Sequence, residues 1–129
     1  MQKLAVLAMA GLMSVTASAS NWVLALKNYG NEVYIDTDSI ASSGVYNQIF
    51  IKYAFKQVQT TPDGRKYNET VALQEVNCES QPMKMRILSL KTSLNGKSVF
   101  SSDYNTDWSI TYTDTAGETI TKLICLYRE

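Results

Sequence analysis

Two pairs of residues have types that do chemistry, Asp36 with Asp38 and Cys78 with Cys125. The carboxylates stand one residue apart in Asp36-Thr37-Asp38-Ser39, directly after the apolar run Val33-Tyr34-Ile35. Acids so spaced can open a calcium loop, work as an acid–base pair, or cap a turn. A calcium loop of the EF-hand type needs another oxygen ligand two residues on and then a glycine; here those positions are Ile40 and Ala41. An acid–base pair needs a cleft that holds two pKa values apart, and closeness in sequence does not supply one. What remains is a strand end passing into an Asx-type turn. Asp36 or Asp38 would cap one short helical turn, and Ile40 would tuck back onto the core. Nucleophilic catalysis lacks its parts: the chain has many serines but no histidine to activate one, and no spacing pairs a serine with a lysine. Nor is there a glycine-rich phosphate loop. No catalytic residue, metal site or cofactor is expected.

The cysteines speak for a compartment more than for a reaction. Lys3, the apolar run from Leu4 to Met13 and the small-residue site Ala17-Ser18-Ala19 follow the order of a secretory signal peptide. The apolar run is short for a membrane span, and no cysteine follows it to accept a lipid. Residues 1–19 are therefore read as a signal peptide and 20–129 as a single domain, exported to the periplasm, the cell surface or beyond. In an oxidising compartment Cys78 and Cys125 are expected to form one intramolecular disulfide. There is no C-x-x-C to suggest a redox centre, and two thiolates without histidine fall short of a zinc set. Closing a loop whose ends are 47 residues apart (125 − 78) stabilises the fold by about 4 kcal/mol on the chain-entropy argument. Without Lys3, 11 basic residues face 12 acidic ones, so no net field draws nucleic acid or an anionic membrane to the domain.

The elements that must position these residues are mostly strands. Trp22 to Leu26 and Val33 to Ile35 flank the turn cluster Asn28-Tyr29-Gly30-Asn31 and read as a hairpin. From Tyr46 to Phe55, Ile49, Ile51, Tyr53 and Phe55 share one face, with Gln48, Phe50, Lys52, Ala54 and Lys56 on the other. After the Pro62-Asp63-Gly64 turn a strand runs from about Lys66 to Cys78. Val71 and Leu73 lie in one phase there, Val76 and Cys78 in the other, which predicts a β-bulge or a strong bend near Gln74-Glu75. Met83, Met85 and Ile87 alternate with Lys84 and Arg86, giving a buried and a wet face on a strand that continues to Leu94. Asn95-Gly96 is a two-residue hairpin signal, returning the chain through Ser98 to Phe100. At the end the period changes. Ile120, Leu123, Ile124 and Tyr127 form a helical stripe, and Thr115 with Glu118 has capping-box spacing, although Thr119, Ile120, Thr121 and Ile124 are β-branched. The expectation is an α+β domain: an antiparallel sheet of five to six strands, one C-terminal helix packed on it, and one disulfide.

One local charge feature stands out, Arg65-Lys66-Tyr67 after the Pro-Asp-Gly turn. A hairpin tip can present two cations and a ring to a partner. From the residues alone, a solvated tip with charge guarding an edge strand is the simpler reading.

The order of motifs resembles the surface-adhesin protein E family of Gram-negative bacteria. The matching points are Trp22-Val23, Val33-Tyr34-Ile35-Asp36 with Asp38-Ser39-Ile40, Arg65-Lys66-Tyr67, Val76-Asn77-Cys78, Trp108-Ser109-Ile110 and Ile124-Cys125. The resemblance implies an antiparallel sheet with a C-terminal helix, a structural disulfide and a place in the cell envelope. It also implies binding of host extracellular proteins such as vitronectin, laminin and plasminogen. The family's basic pair followed by tyrosine falls on Arg65, Lys66 and Tyr67, with the order of the basic residues reversed, and that strengthens the binding reading of the tip. Two functions follow as expectations. One is an adhesin-like protein-binding module that uses exposed strand edges and the Arg65–Tyr67 turn. The other is a soluble periplasmic structural or accessory domain, with a homodimer formed through the apolar second face around Phe50 as one form it can take.

Overall fold

The computed structural model describes residues 21–103, 105–110 and 115–127; the expected signal peptide lies outside the described residues. In chain order the elements are β1 (Trp22–Asn28), β2 (Asn31–Asp36), a one-turn 3-10 helix (Thr37–Ser39), β3 (Ala41–Ser43), β4 (Tyr46–Thr60), β5 (Lys66–Asn77), β6 (Lys84–Leu94), β7 (Lys97–Ser102), β8 (Ser109–Ile110) and α1 (Ala116–Leu126). Six strands form one antiparallel sheet in the order β1-β2-β4-β5-β6-β7, with β3 added to β4 and β8 to β6. The sheet thus has eight strands rather than the expected five to six. The two additions, β3 and β8, are three and two residues long with every residue exposed, so neither carries the apolar alternation by which a strand is read.

Turn chemistry sets two of the tight hairpins. Tyr29 (φ 51°) and Gly30 (φ 87°) join β1 to β2, and Asn95 (φ 50°) and Gly96 (φ 87°) join β6 to β7. Two successive positive φ angles are what a type I′ turn needs to match strand twist.

Period-two alternation divides the sheet into faces. Cross-strand pairs Ile35–Ile51 and Ile51–Ala72 stack apolar side chains on the inner face, and Val76 stands opposite Asn47. Ile35, Ile49, Ile51 and Val76 there meet Ile120 and Ile124 of α1 to form the core, and Ile40 folds back against it. The phase change in β5 has a different origin from the one expected. β5 keeps its alternation, with Thr70, Ala72, Gln74 and Val76 all buried. The register slips because Leu73 pairs with Ser89 while Gln74 pairs with Ile87, leaving Leu88 of β6 as the extra residue. Val71 and Leu73 are simply half-buried on the outer face. Single-residue slips also occur at Ala25 in β1 and at Val99 in β7.

The helix starts where the capping pattern places it. Thr115 is extended (φ −107°, ψ 163°), and its hydroxyl accepts from the Glu118 N–H at 3.2 Å. Ile120, Thr121 and Ile124 are the buried positions, whereas Tyr127 is the C-cap and stays 41 % exposed. Two ties hold α1 down. One is the Cys78–Cys125 disulfide, with Cα atoms 5.8 Å apart. The other is Asn47, fully buried, whose Nδ2 donates to the Ile124 carbonyl at 3.1 Å and whose Oδ1 accepts from Ser42 Oγ at 2.8 Å. The first supplies a covalent link, and the second adds a donor to a last-turn carbonyl that also accepts from the Tyr127 N–H at 3.2 Å.

Candidate functional site

The Asp36–Ser39 stretch is a cap. Asp36 is buried, and its Oδ1 accepts from the backbone N–H groups of Asn21 at 3.0 Å and Asp38 at 3.1 Å. A carboxylate so used closes the entry to the 3-10 turn and ties down the start of β1. Ser39 works with it, its hydroxyl donating to the Asp36 carbonyl at 2.8 Å and accepting from the Phe50 N–H at 3.0 Å. Phe50 lies on the face away from the helix and is 38 % exposed.

The tip between β4 and β5 is organised by its own side chains. The Thr61 N–H donates to the Arg65 carbonyl at 2.7 Å, and the Gly64 N–H donates to the Thr61 carbonyl at 2.9 Å. Thr61 Oγ1 accepts from the Arg65 N–H at 2.9 Å and bonds to Asp63 Oδ1. Gly64 supplies the positive φ (92°) that the turn requires. Arg65 is held on three sides. Its Nε donates to Asp63 Oδ1 at 3.2 Å, its Nη2 lies 2.9 Å from Asp63 Oδ2, and its Nη1 donates to the Val99 carbonyl on β7 at 2.8 Å. The guanidinium also sits 5.3 Å from the ring centre of Phe100. Hydrogen bonds from Thr61 and then from Arg65 hold the Asp63 carboxyl below the usual carboxylate range.

The three residues of the sequence motif therefore separate. Arg65 and Tyr67 line one cavity with Phe100, and Tyr67 meets Phe55 edge-to-face at 5.9 Å. Lys66 is exposed and is not among that cavity's residues. Sequence reasoning missed Asp63 and Phe100. The first was available as an acid two residues from the arginine within one turn. The second was not, because it depends on the register of β7 against β6, where Phe100 pairs with Thr92.

The outer face holds a second cluster. Arg86 pairs with Glu75 at 2.8 Å and lies 4.5 Å from the centre of the Trp108 ring, on which Tyr46 stacks at 5.6 Å. Gln48 Nε2 donates to Glu75 at 2.9 Å. Arg86 and Glu75 side chains are only 28 % and 10 % exposed, so the face read as wet at Arg86 is a packed ion pair. Further along, Lys52 lies 4.7 Å from the Trp22 ring and 5.2 Å from that of Tyr34. Both clusters place a cation against aromatic faces, an arrangement that fixes long side chains on an open sheet.

No group of three or more histidine, cysteine or acidic residues able to hold a metal occurs among the described residues. No described helix is long and apolar enough to cross a membrane. No curated protein matches the chain. The sheet, the capped terminal helix and the disulfide between Cys78 and Cys125 fall within residues 22–126, the stretch matched by the family model for surface-adhesin protein E, and the chain belongs to that family.

Proposed function

We propose that this chain is an exported, non-catalytic protein-binding module of the cell envelope, with host extracellular-matrix or plasma proteins as its partners and the β4–β5 tip as its contact. The observation that carries this reading is the tip itself: in a chain of the adhesin family, Arg65 is held rigid by Asp63 and Val99 while Lys66 stands exposed beside it. A fixed guanidinium and a free ammonium at the end of a hairpin form a preorganised basic contact, and little side-chain entropy is lost at Arg65 on binding. The test is binding of the purified chain to immobilised vitronectin, laminin and plasminogen. Binding that weakens with salt and falls on Arg65→Ala with Lys66→Ala supports the reading; no binding to any of the three overturns it.

The internal engagement of Arg65 favours a second reading, in which its role is to hold the tip on β7 and the chain is a soluble periplasmic accessory domain. Protease shaving of intact cells separates the two. Chain that survives shaving and is released with the periplasm supports the accessory role; chain cut on intact cells supports the adhesin role.

A further inference from the structure

Asn95-Gly96 is the only asparagine–glycine step in this sequence. Both residues are exposed at the β6–β7 turn, and a side chain added at Gly96 would meet nothing within 4 Å. Asparagine is a chemically labile residue, and one followed by a bare glycine can react with its own backbone. Glycine has no side chain to shield the peptide nitrogen, whereas every other asparagine here precedes a residue that has one. We propose that Asn95 is a self-modification site, converted to aspartate and isoaspartate, and that Asn68 restrains the conversion. In the first step the Gly96 nitrogen attacks Asn95 Cγ. A C–N bond forms, the nitrogen gives up its proton, and Nδ2 leaves as ammonia, closing a five-membered imide. Water then adds to one imide carbonyl and breaks its bond to nitrogen. Cleavage at the side-chain carbonyl leaves aspartate; cleavage at the backbone carbonyl leaves isoaspartate. One water enters and one ammonia departs, with no oxidant or reductant.

The fold supplies the restraint. Ring closure swings the Gly96 nitrogen beside Asn95 Cβ, close to eclipsed about the Cα–C bond. A type I′ turn is the mirror image of type I and keeps ψ of its first central residue at about +30°, which puts that nitrogen almost opposite Cβ. The imide therefore closes only from an opened turn. Asn68, half-buried on β5, keeps the turn shut. Its Nδ2 donates to Asn95 Oδ1 at 3.0 Å, and its Oδ1 accepts from the Asn95 N–H at 3.1 Å. These bonds lie just beyond Glu69–Ser93, the last pair of the β5–β6 ladder at this end. The Nδ2 bond also polarises the carbonyl that is attacked, which taken alone would speed the reaction. Opening the turn separates the two amides and removes that help, so restraint wins. The product carries a carboxylate on the hairpin next to the Arg65–Tyr67 tip, and its partner Asn68 is two residues from Lys66. This chemistry is independent of whether that tip meets a protein.

The experiment ages the purified full chain at mildly alkaline pH and follows each asparagine by peptide mass spectrometry, with separation of the aspartate and isoaspartate products. Asn95 is expected to convert first. Asn68→Ala should speed its conversion about fivefold, the worth of two partly exposed hydrogen bonds at the low end of their range. Amide exchange at residues 94–97 should rise by the same factor. In full denaturant the two proteins should convert at one rate, since no turn is left to hold. A second test needs no variant: across urea concentrations below the unfolding transition, conversion of Asn95 in the wild-type chain should climb in step with exchange at residues 94–97. Another asparagine converting first, an Asn68→Ala rate equal to or below that of the wild type in the folded state, or conversion that stays flat while exchange rises overturns the proposal.

Discussion

The inner face of the sheet is covered at one end by α1, lying on Ile35, Ile49, Ile51 and Val76, and at the other by the 61–65 turn, beside Leu90, Thr92 and Phe100. The two covers differ in what fastens them. The helix is tied by a disulfide and by Asn47, both reaching its last turn, and it buries Ile120, Thr121 and Ile124. The turn is tied by one guanidinium whose side chain is 46 % exposed. Each end also leaves a cavity, of about 290 Å³ beside the first turn of α1 at Ala116, Gly117 and Ile120, and of about 330 Å³ under the 61–65 turn. The comparison teaches that two covers on one sheet face can differ in how firmly they are held: a covalent tie with apolar burial at one end, and at the other a polar cover that can open at low cost.

Four variants sharpen this contrast. The largest effect is expected from Cys78→Ala with Cys125→Ala. Loss of the 47-residue closure should lower unfolding stability by about 4 kcal/mol, read as a shift in the denaturant midpoint. Next is Asn47→Ala. It removes the donor to the Ile124 carbonyl and the acceptor for Ser42 and should cost about 2 kcal/mol, because two hydrogen bonds are lost at a fully buried position, although the Ile124 carbonyl keeps the Tyr127 N–H at 3.2 Å. If this change leaves the midpoint in place, the buried polar tie is not what seats the helix.

A pH effect of intermediate size belongs to Tyr53, whose hydroxyl receives a hydrogen bond from Gln74 at 2.6 Å. Burial raises its pKa above the ordinary phenol range, partly offset by the Gln74 bond. A raised folded pKa gives stability that is complete below the unfolded-state value and is lost as pH climbs through the folded one. Alkaline titration should therefore weaken the fold above about pH 10, and Tyr53→Phe should flatten that limb. Equal alkaline slopes for the two proteins would show that Tyr53 is not the group responsible. The smallest global effect is expected from Arg65→Ala, at most about 1 kcal/mol for an exposed pair. Its signature should be local: faster amide exchange at residues 61–67 with no change around α1. Faster exchange at α1 as well would contradict the division of the face into two independent covers.

How much of this was legible depended on the range of the interaction. Alternation in Ile49, Ile51 and Tyr53, the Asn95-Gly96 turn and the Thr115–Glu118 cap are local codes, and each stands where the sequence puts it. The Asp36 cap was also legible, because its partner Asp38 is two residues away. The Leu88 bulge was placed on the wrong strand, because a slip between two strands leaves a mark in either sequence. Arg65 was singled out for charge, but its contact with Val99 spans 34 residues. The cavity and the Arg86–Trp108 stack depend on the same kind of long-range register, which a single chain read in order does not reveal.

The slips at Ala25 and Val99 have a consequence for assembly. They fall on β1 and β7, the outermost strands of the six-strand order. A strand with one residue too many twists away from straight pairing and offers a visiting backbone a broken ladder. Sideways growth of the sheet, whether into a fibril or onto an extended peptide, is hindered at these two strands.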